Sequence, residues 1–385
     1  MKVIIISNAL TPHQQPLCDA FEAMPNVDIS FYEAENIDKS SLPIGWRLLD
    51  SKNYIVDYNS LFGNLDYYKQ KIIEADAVIL GSAPFSLVEE RVASNLVTFI
   101  YSERVYRNLK SKLKWPYHVW KFNKNYNRNS LYLLCASAFT YSDFLKMGVF
   151  KNKAFKWGYF TNIDEKYELE ASKQDASSSE ITPLMWCARY LSLKHPELPV
   201  KLAAKLKKNG YNFILDMFGS GVELENTKRL AKELGVEDCV HFCGTCPNEE
   251  IIKEMRSHKI FLFTSDYNEG WGAVANEAMS NGCTLVASDA IGSIPYLVQD
   301  GVNGLIFKSC NLESLYKKVS FLLDNEEARF NMSNKALRTM KALWSPKNAA
   351  NAFIQLVIDL TSDNKISIQK GPCSIAPIYN NHWNK

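Results

Sequence analysis

The sequence of 385 residues lacks any long apolar run. No stretch approaches the ~20 apolar residues that a membrane-spanning helix needs. The opening, MKVIIISNAL, contains an apolar run that is too short for a signal peptide and is better explained as a strand. We therefore expect a cytoplasmic protein that at most sits on a membrane surface.

The sequence also lacks a strong excess of either charge. Its 44 Lys and Arg residues nearly balance 42 Asp and Glu residues, which leaves a net charge of +2. This balance gives no global electrostatic support for nucleic-acid binding. Any argument from charge must rest on a local cluster.

A disulfide framework and a zinc-binding pattern are missing as well. The nine cysteines sit mostly inside apolar runs, and their odd number and irregular spacing favour reduced thiols. Cys243 and Cys246 form a CxxC pair, but no second pair of cysteines or histidines follows at zinc spacing. We expect no metal site.

Short apolar runs alternate with helical patterns along the whole chain, which predicts parallel sheets covered on both faces. The predicted strands are 2–7, 27–32, 76–81, 96–102, 138–142, 184–189, 212–219, 240–244, 260–265, 284–289 and 304–307. Residues 164–180 are charged, rich in serine and poor in apolar residues, as in a linker. We therefore predict one α/β domain over 1–170 and a second over 171–345, followed by an irregular tail over 364–385.

Ligands of open parallel sheets bind beyond the carboxyl ends of the strands, so the segment NEGWGAVANEAMSNG (268–282) is of interest. Gly270 and Gly272 permit close approach of the backbone to a ligand. If 271–282 is a helix, Glu269 and Glu277 lie ~12 Å apart along it, too far for an acid–base pair. They could instead hold the two ends of a ligand whose phosphates meet the helix start, as in a sugar nucleotide. Alternatively, Glu277 lies on a solvated helix face.

EGWGAVANEAM resembles the E-x7-E signature of retaining glycosyltransferases of the GT-B fold, specifically the large family 4 group. Further resemblance lies in MWCARYLSLKHPELPVKLAAKL, MFGSGVE, VHFCGTCPNEEI and SDAIGSIPYLVQDGVNGLIF, in the expected order. The similarity is strong over roughly 180–345 and weak before it. It implies two Rossmann-like, doubly wound parallel-sheet domains facing across a cleft. The first would bind the acceptor and be completed by a helix over 346–363, and the second would bind a nucleotide-sugar donor.

The resemblance also implies roles for individual residues. Arg189 and Lys194 would bracket the donor diphosphate without a metal, and Glu269 would bind hydroxyls of the donor sugar. Glu277 would hold the ribose. The other donor-binding residues implied are Gly219, Gly221, Phe242, Gly244, Thr245, Gly270, Trp271, Gly272 and Ala273. A surface salt bridge is the alternative for Arg189. No cofactor is expected, because the donor, UDP- or GDP-linked, is a substrate.

The N-terminal half departs from the family pattern in two loops. Where many relatives have Gly-Gly, this chain has SNALTPHQQPLCDAF, which makes His13 and Gln14 candidates for contact with the sugar or the acceptor. A histidine packed within its loop is the alternative. Where many relatives have His-Asp, this chain has YSERVYR, so Glu103 and Arg104 are further candidates. No general base emerges, and the family mechanism does not require one.

Residues 104–130 combine eight Lys and Arg residues with interleaved aromatic residues and contain no acid. This pattern suits an anionic membrane interface, and the family often reaches polyprenyl-diphosphate-linked acceptors there. Packing of an ordinary helix and binding of single-stranded nucleic acid are the alternatives, of which we do not expect nucleic acid. If 104–130 binds lipid, the protein is peripheral on the inner face of the membrane.

The sequence thus predicts a metal-independent, retaining glycosyltransferase that transfers a sugar from a nucleotide-diphosphate donor to a hydroxyl of a lipid-linked or polysaccharide acceptor. A sugar-nucleotide epimerase on the same fold and a non-catalytic sugar-nucleotide-binding protein are the alternatives. A nicotinamide-dependent dehydrogenase is disfavoured, because GSGVEL has Leu224 where the dinucleotide fingerprint has its third glycine.

Overall fold

The chain divides into two units, each with its own parallel sheet. The computed structural model describes residues 1–37, 52–106, 114–126, 128–169, 181–362, 365–381 and 383–384. The first unit comprises Met1–Asn162 together with Leu343–Lys385, and the second comprises Ile163–Ala342. Most of the predicted linker, 170–180, lies outside the described residues.

The first unit is built on a seven-stranded sheet whose order is β3-β2-β1-β4-β5-β6-β7, with every neighbouring pair parallel. Its strands are β1 Lys2–Ser7, β2 Asp28–Glu33, β3 Ile55–Val56, β4 Ala77–Leu80, β5 Thr98–Ser102, β6 Leu131–Cys135 and β7 Ala154–Lys156. The central strands β1 and β4 are almost wholly buried, as expected of strands covered on both faces.

The α-helices described in the first unit precede and follow these strands. They are α1 Gln15–Glu22, α2 Tyr58–Gly63, α3 Leu65–Glu74, α4 Glu89–Ala93, α5 Trp115–Tyr126, α6 Thr140–Lys146 and, from the end of the chain, α14 Pro346–Thr361. The ring of Phe353 in α14 is fully buried and contacts Phe21, Phe99 and Trp157. The last helix is therefore part of the core of the first unit.

The prediction of a strand at 138–142 is wrong. Residues 140–146 form α6, which buries Tyr141 and Phe144 at the three-residue spacing of a helix face. The strand of this region lies earlier, at Leu131–Cys135, where four of the five side chains are buried. Because AFTYS is short and rich in aromatic and β-branched residues, its composition alone could not separate a strand from a helix.

The second unit is built on a six-stranded parallel sheet whose order is β10-β9-β8-β11-β12-β13. Its strands are β8 Thr182–Cys187, β9 Phe213–Phe218, β10 Val240–Gly244, β11 Ile260–Phe263, β12 Thr284–Ser288 and β13 Leu305–Phe307. The helices described are α7 Glu197–Lys208, α8 Leu224–Glu233, α9 Asn248–Ser257, α10 Val274–Ser280, α11 Ile294–Leu297, α12 Leu312–Asp324 and α13 Glu326–Leu343.

The unit boundaries fall a few residues from the predicted positions. Residues 163–169 belong to the second unit, because Asp164 pairs with Arg256 at 3.1 Å and Lys341 donates to the carbonyl of Tyr167 at 2.7 Å. The tail after α14 forms no described helix, but Cys373 is buried and its N–H donates to the carbonyl of Lys156 at 2.8 Å. The tail is thus anchored beside β7.

Candidate functional site

Two adjacent strands of the second unit, β8 and β11, mark the point where the strand order reverses. β9 and β10 continue the sheet on one side of this pair, and β12 and β13 continue it on the other. The loops that follow β8 and β11 leave the same edge of the sheet, because the strands are parallel. In open parallel sheets, such a switch point is where ligands bind.

Lys194 follows β8 at the end of a single 3₁₀ turn, Ser192–Lys194. Its backbone carbonyl accepts a hydrogen bond from the Thr264 hydroxyl at 2.7 Å, and that hydroxyl accepts one from the indole N–H of Trp186 at 2.9 Å. Thr264 and Trp186 are both buried. This chain of hydrogen bonds fixes the Lys194 backbone against the end of β11.

The Lys194 ammonium group forms an ion pair with the Glu269 carboxylate, which follows β11. The two side chains are 14% and 13% exposed, so the pair is largely shielded from solvent but remains accessible to a ligand. The ammonium nitrogen also lies 6.0 Å from the centre of the Phe263 ring. The structure therefore brings together two of the three residues expected at the reacting centre.

Arg189, the third, is exposed, and its side chain makes no hydrogen bond or ion pair with any residue that the structure describes. The predicted alternative, a surface salt bridge, is therefore wrong for the described part of the chain. Its backbone carbonyl accepts from Leu191 at 2.8 Å, within the same loop as Lys194.

His195 links the same two loops and was not predicted from the sequence. Its imidazole lies between Glu197, at 2.9 Å from Nδ1, and Asp266, at 3.3 Å from Nε2. The hydrogen bonds to Asp266 and Glu197 raise the pKa of His195 to about 10, so the ring is a cation at neutral pH. The Asp266 N–H also donates to the Leu193 carbonyl at 3.0 Å. His195 and Asp266 could have been noticed as polar residues that follow strands, but the sequence does not show that they pair with each other.

The loop after β11 is shaped by Trp271 and Gly272. The Trp271 side chain is fully buried, and its indole N–H donates to the Asn276 side chain at 2.8 Å. Gly272 has a φ of +79°, and a Cβ there would lie 2.4 Å from the Phe263 ring. Gly270 is buried and Ala273 is half-buried. Trp271 therefore anchors the loop from within, and only its backbone could serve a ligand.

Helix α10 is shorter than predicted. It begins at Val274 and has 7 residues, whereas the sequence indicated a helix over 271–282. The estimate of ~12 Å between Glu269 and Glu277 assumed eight helical residues and does not hold. A helix of two turns also gives a weaker dipole at its start than the prediction required.

Glu277 does not lie on a solvated helix face, so that alternative is wrong. Its side chain is buried, and burial raises the pKa of its carboxyl to about 7, although a hydrogen bond with the Asn248 side chain acts in the opposite direction. The same carboxylate raises the pKa of the Cys187 thiol at the end of β8, second to burial. Glu277 is thus a buried acid near the carboxyl end of β8 that titrates near neutral pH.

The remaining residues predicted to bind the donor follow β9 and β10. Gly219 and Gly221 have φ of +124° and +150°, and a Cβ on either would lie within 2.5 Å of a backbone oxygen, that of Ala188 or Tyr190. They allow the loop after β9 to pack against the loop after β8. The other three lie in β10 or just after it: Phe242 packs partly on the core, and Gly244 and Thr245 are exposed.

In the first unit, His13 and Gln14 line a cavity together with Tyr101 and Tyr159. His13 stacks on Tyr159 with ring centres 5.9 Å apart, and the Tyr159 hydroxyl donates to the Glu103 carboxylate at 2.7 Å. Burial lowers the pKa of His13, which favours the neutral imidazole. Three of the four predicted acceptor or sugar residues therefore meet around Tyr159.

Arg104 is the exception. It is buried, its guanidinium lies 4.9 Å from the centre of the Phe139 ring, and its Nε is 3.5 Å from the Asp143 carboxylate. It lines a different cavity from that of His13.

None of the helices that the structure describes combines the length and apolar character needed to cross a membrane. No group of three or more His, Cys, Asp or Glu side chains in the described part of the chain could hold a metal ion. All nine cysteines are free thiols, as predicted.

The sheet order defines the second unit as a Rossmann-like α/β domain with charged loops at its switch point. Residues 173–339 match the family model described as Glycosyl transferases group 1. The match lies within the second unit and covers less than half of the chain.

Curated relatives match less than half of the chain. D-inositol 3-phosphate glycosyltransferase of Corynebacterium aurimucosum is 30% identical over 155 residues, which is 39% of this chain and 36% of the relative. Poly(glycerol-phosphate) alpha-glucosyltransferase of Bacillus subtilis is 28% identical over 173 residues, 44% of this chain and 25% of the relative. The chain spans less than half the length of these relatives.

Solved structures match over nearly the whole chain. Alr3699/HepE of Anabaena, in complex with UDP, has a TM-score of 0.68 at 15% identity, over 94% of this chain and 100% of that one. Sucrose-phosphate synthase of Thermosynechococcus elongatus has a TM-score of 0.66 at 15% identity, with the same coverage. At such identity these likenesses establish the fold alone, namely two Rossmann-like α/β units, each with a parallel sheet.

Proposed function

We propose that this chain is a metal-independent, retaining glycosyltransferase of family 4 that uses a UDP- or GDP-linked sugar and needs no cofactor. The observation that carries the proposal is the ion pair between Lys194 and Glu269 at the switch point of a glycosyl transferases group 1 domain. This pair presents a cation for a diphosphate and a carboxylate for sugar hydroxyls at one place.

In this proposal the ion pair is exchanged when the donor binds. A diphosphate is a stronger partner for an ammonium group than a single carboxylate, so Lys194 would turn to the phosphates. Glu269 would then be released to accept hydrogen bonds from the donor sugar. As the bond between sugar and phosphate breaks, negative charge grows on the departing diphosphate, and Lys194 and the exposed Arg189 would stabilise it.

Glu277 is proposed to hold the ribose. Two ribose hydroxyls can donate to one ionised carboxylate, and the burial of Glu277 makes those hydrogen bonds stronger than in water. The nucleotide base would then lie toward Phe242–Thr245, beside the loop after β9.

The acceptor is proposed to be a hydroxyl of a lipid-linked or polysaccharide sugar. Two of the curated relatives are named for D-inositol 3-phosphate and poly(glycerol-phosphate), which also carry hydroxyl groups. The cavity around Tyr159 supports an acceptor site in the first unit, because it is lined by the neutral imidazole of His13 and by Tyr159, whose hydroxyl is oriented by the Glu103 carboxylate. We propose that the reaction takes place in the cytoplasm.

Helix α5 supports a peripheral contact with an anionic membrane. Phe122 and Tyr126 pack on the core, whereas Tyr117 and Trp120 are 55% and 64% exposed. Lysine ammonium groups lie 6.0 and 5.9 Å from these two exposed rings. Flotation with vesicles that contain anionic lipid, compared with neutral vesicles, tests this contact. Equal flotation with both would argue against it.

The function is tested first by thermal stability in the presence of UDP-, GDP-, ADP- and CMP-sugars without added metal. A ligand of the folded state raises the melting temperature by mass action. One nucleotide class should stabilise the wild type and stabilise Glu277→Gln much less, whereas the exposed control Glu249→Gln should behave as the wild type does. Stabilisation by none of the four classes would refute the proposal.

The product of a reaction with the donor so identified separates the alternatives. Proton NMR of the new glycosidic linkage should show the anomeric configuration of the donor. An inverted anomer would exclude the retaining mechanism, and an epimerised free donor would indicate an epimerase. Binding without turnover, across a set of lipid-linked and polysaccharide acceptors, would indicate a non-catalytic protein.

A further inference from the structure

A second cavity of the first unit has no role in the function proposed above. It is lined by Arg104, Tyr106, Trp115, Asp143 and Lys146. None of these residues lines the cavity that holds His13 and Tyr159. Trp115, at the start of α5, is 46% exposed and forms an accessible wall, whereas Asp143 and Tyr106 are buried.

Asp143 is held in place through one of its two carboxylate oxygens. Oδ2 accepts the backbone N–H groups of Val105 and Tyr106 at 3.1 and 3.0 Å and lies 3.5 Å from Nε of Arg104. Oδ1 is buried and has no hydrogen-bond partner in the described part of the chain, and the same is true of the Tyr106 hydroxyl. The side chains of Asp143 and Tyr106 are only 1% and 5% exposed.

A buried polar atom without a partner destabilises the folded state, and in a native protein it needs an explanation. Here two such atoms belong to residues that line one cavity. A ligand that forms hydrogen bonds with both would offset that cost. The cavity therefore has the chemistry of a binding site in which some partners are to be supplied by the ligand.

The type of ligand follows from the groups that it would meet. The free oxygen of Asp143 needs a hydrogen-bond donor, whereas Arg104 and Lys146 provide only donors. Inorganic phosphate at neutral pH presents mainly acceptors and negative charge, so it would suit the two cations but could satisfy the free oxygen of Asp143 only poorly. A sugar hydroxyl both donates and accepts, and the apolar C–H face of a pyranose ring can pack on Trp115.

We propose that this cavity binds one pyranose residue of a carbohydrate, with Asp143 accepting from a ring hydroxyl, the two cations donating to neighbouring oxygens and Trp115 packing on the ring. The sugar would be a residue of a glycan acceptor, and only that last identification rests on the proposed function. Carbohydrate binding itself does not depend on it.

The test is saturation-transfer-difference NMR on the full chain, with methyl glycosides of glucose, galactose, mannose and N-acetylglucosamine in both anomeric forms and with maltotriose. At least one sugar should give saturable signals at millimolar concentration. Trp115→Ala should weaken its binding about tenfold, the loss expected for one aromatic contact of ~1 kcal/mol or more. Trp120→Ala is the matched control, because this tryptophan is exposed on the same helix and does not line the cavity, and it should change the affinity by less than about twofold.

A second variant addresses the unpaired oxygen. Asp143→Asn keeps an oxygen for the two backbone N–H groups and replaces the charged acceptor Oδ1 by a neutral amide donor. The charge-assisted hydrogen bond from the sugar is then lost, so sugar binding should weaken while the fold, followed by circular dichroism, is kept. Should Asp143→Asn fail to fold, the pair of tryptophan variants decides alone. Absence of binding by every sugar tested, equal effects of the two tryptophan variants, or displacement of the sugar by inorganic phosphate would each overturn the proposal.

Donor binding provides the readout that separates this inference from the proposed function. Trp115→Ala should leave the thermal stabilisation by the donor nucleotide unchanged, because Trp115 belongs to the first unit and the donor residues belong to the second. If sugar binds to the cavity but no nucleotide stabilises the chain, the cavity assignment stands and the proposed function fails. If a nucleotide binds but no sugar occupies the cavity, the cavity assignment fails and the proposed function stands.

Discussion

Replacing His195 by asparagine should remove a contribution to stability that depends on pH. The imidazole pairs with Asp266 and Glu197, which raise its pKa from the ordinary 6.5 to about 10. Asparagine tolerates the left-handed backbone at this position, where φ is +50°, and it carries no charge. The substitution therefore removes the ion pairs with little added backbone strain.

The magnitude can be bounded from the structure. Taken at face value, the rise in the pKa corresponds to ~5 kcal/mol, at ~1.4 kcal/mol per pH unit. The imidazole is 21% exposed and Glu197 is 36% exposed, so solvent screens the interaction. We expect His195→Asn to lower the free energy of unfolding by about 1–2 kcal/mol near neutral pH.

The sign of the pH dependence is the sharper part of the prediction. The pKa of His195 is higher in the folded chain, so its contribution is complete below about pH 6.5, decreases as the pH rises and is lost above about pH 10. Wild type and His195→Asn should accordingly differ in stability at about pH 6 and converge above about pH 10.

Urea denaturation of both proteins across this pH range measures the difference, and amide hydrogen exchange in 188–196 and 264–273 locates it. His241→Asn is the control, because His241 is 47% exposed and pairs only with Asp216, so its effect should be smaller. A stability difference that stays constant with pH, or grows as the pH rises, would refute the assignment of His195 as a half-buried cation.

Three further predictions concern the residues of the candidate site. Gly272→Ala should lower the free energy of unfolding by ~2–3 kcal/mol, because φ is +79° and the new Cβ would lie 2.4 Å from a phenylalanine ring. The control Gly235→Ala, where φ is +64° and no atom lies within 4 Å of the new Cβ, should lower it by ~1 kcal/mol. Urea denaturation measures both effects. Since burial raises the pKa of Glu277 to about 7, the affinity for the donor nucleotide, measured by calorimetry, should increase from about pH 6 to about pH 8 and be flat in Glu277→Gln. Lys194→Met should reduce kcat about 10²–10³-fold with little change in melting temperature. Lys205→Met, which removes an exposed ion pair, should leave kcat unchanged. Equal rates for these two variants would exclude Lys194 from the reaction.

Much of the fold could be predicted from apolar runs alone. The predicted strand 2–7 matches Lys2–Ser7, and most of the other predicted strands deviate by one or two residues at their ends. Strands buried on both faces are the reason, since they are nearly all apolar and stand out from the helices between them. Ile55–Val56 and Ala154–Lys156 were missed because two or three residues are too few to form a pattern.

The candidate site was predictable only in part. Lys194 and Glu269 could be located after β8 and β11, because residues that follow parallel strands gather at one edge of the sheet. The bond between His195 and Asp266 joins residues 71 positions apart and depends on the path of two loops, for which periodicity carries no information. The burial of Glu277 was also out of reach, since it depends on where α10 begins.

The return of α14 to the first unit has a consequence for the order of events during synthesis. The ribosome synthesises Phe353 only after the whole of Ile163–Ala342. Phe21, Phe99 and Trp157 therefore lack their contact with Phe353 while the second unit is made. The second unit is one continuous segment and can fold as soon as it emerges. A nascent chain paused before residue 343 would therefore expose an aromatic surface that chaperones can bind, although nearly nine-tenths of the polypeptide would already exist.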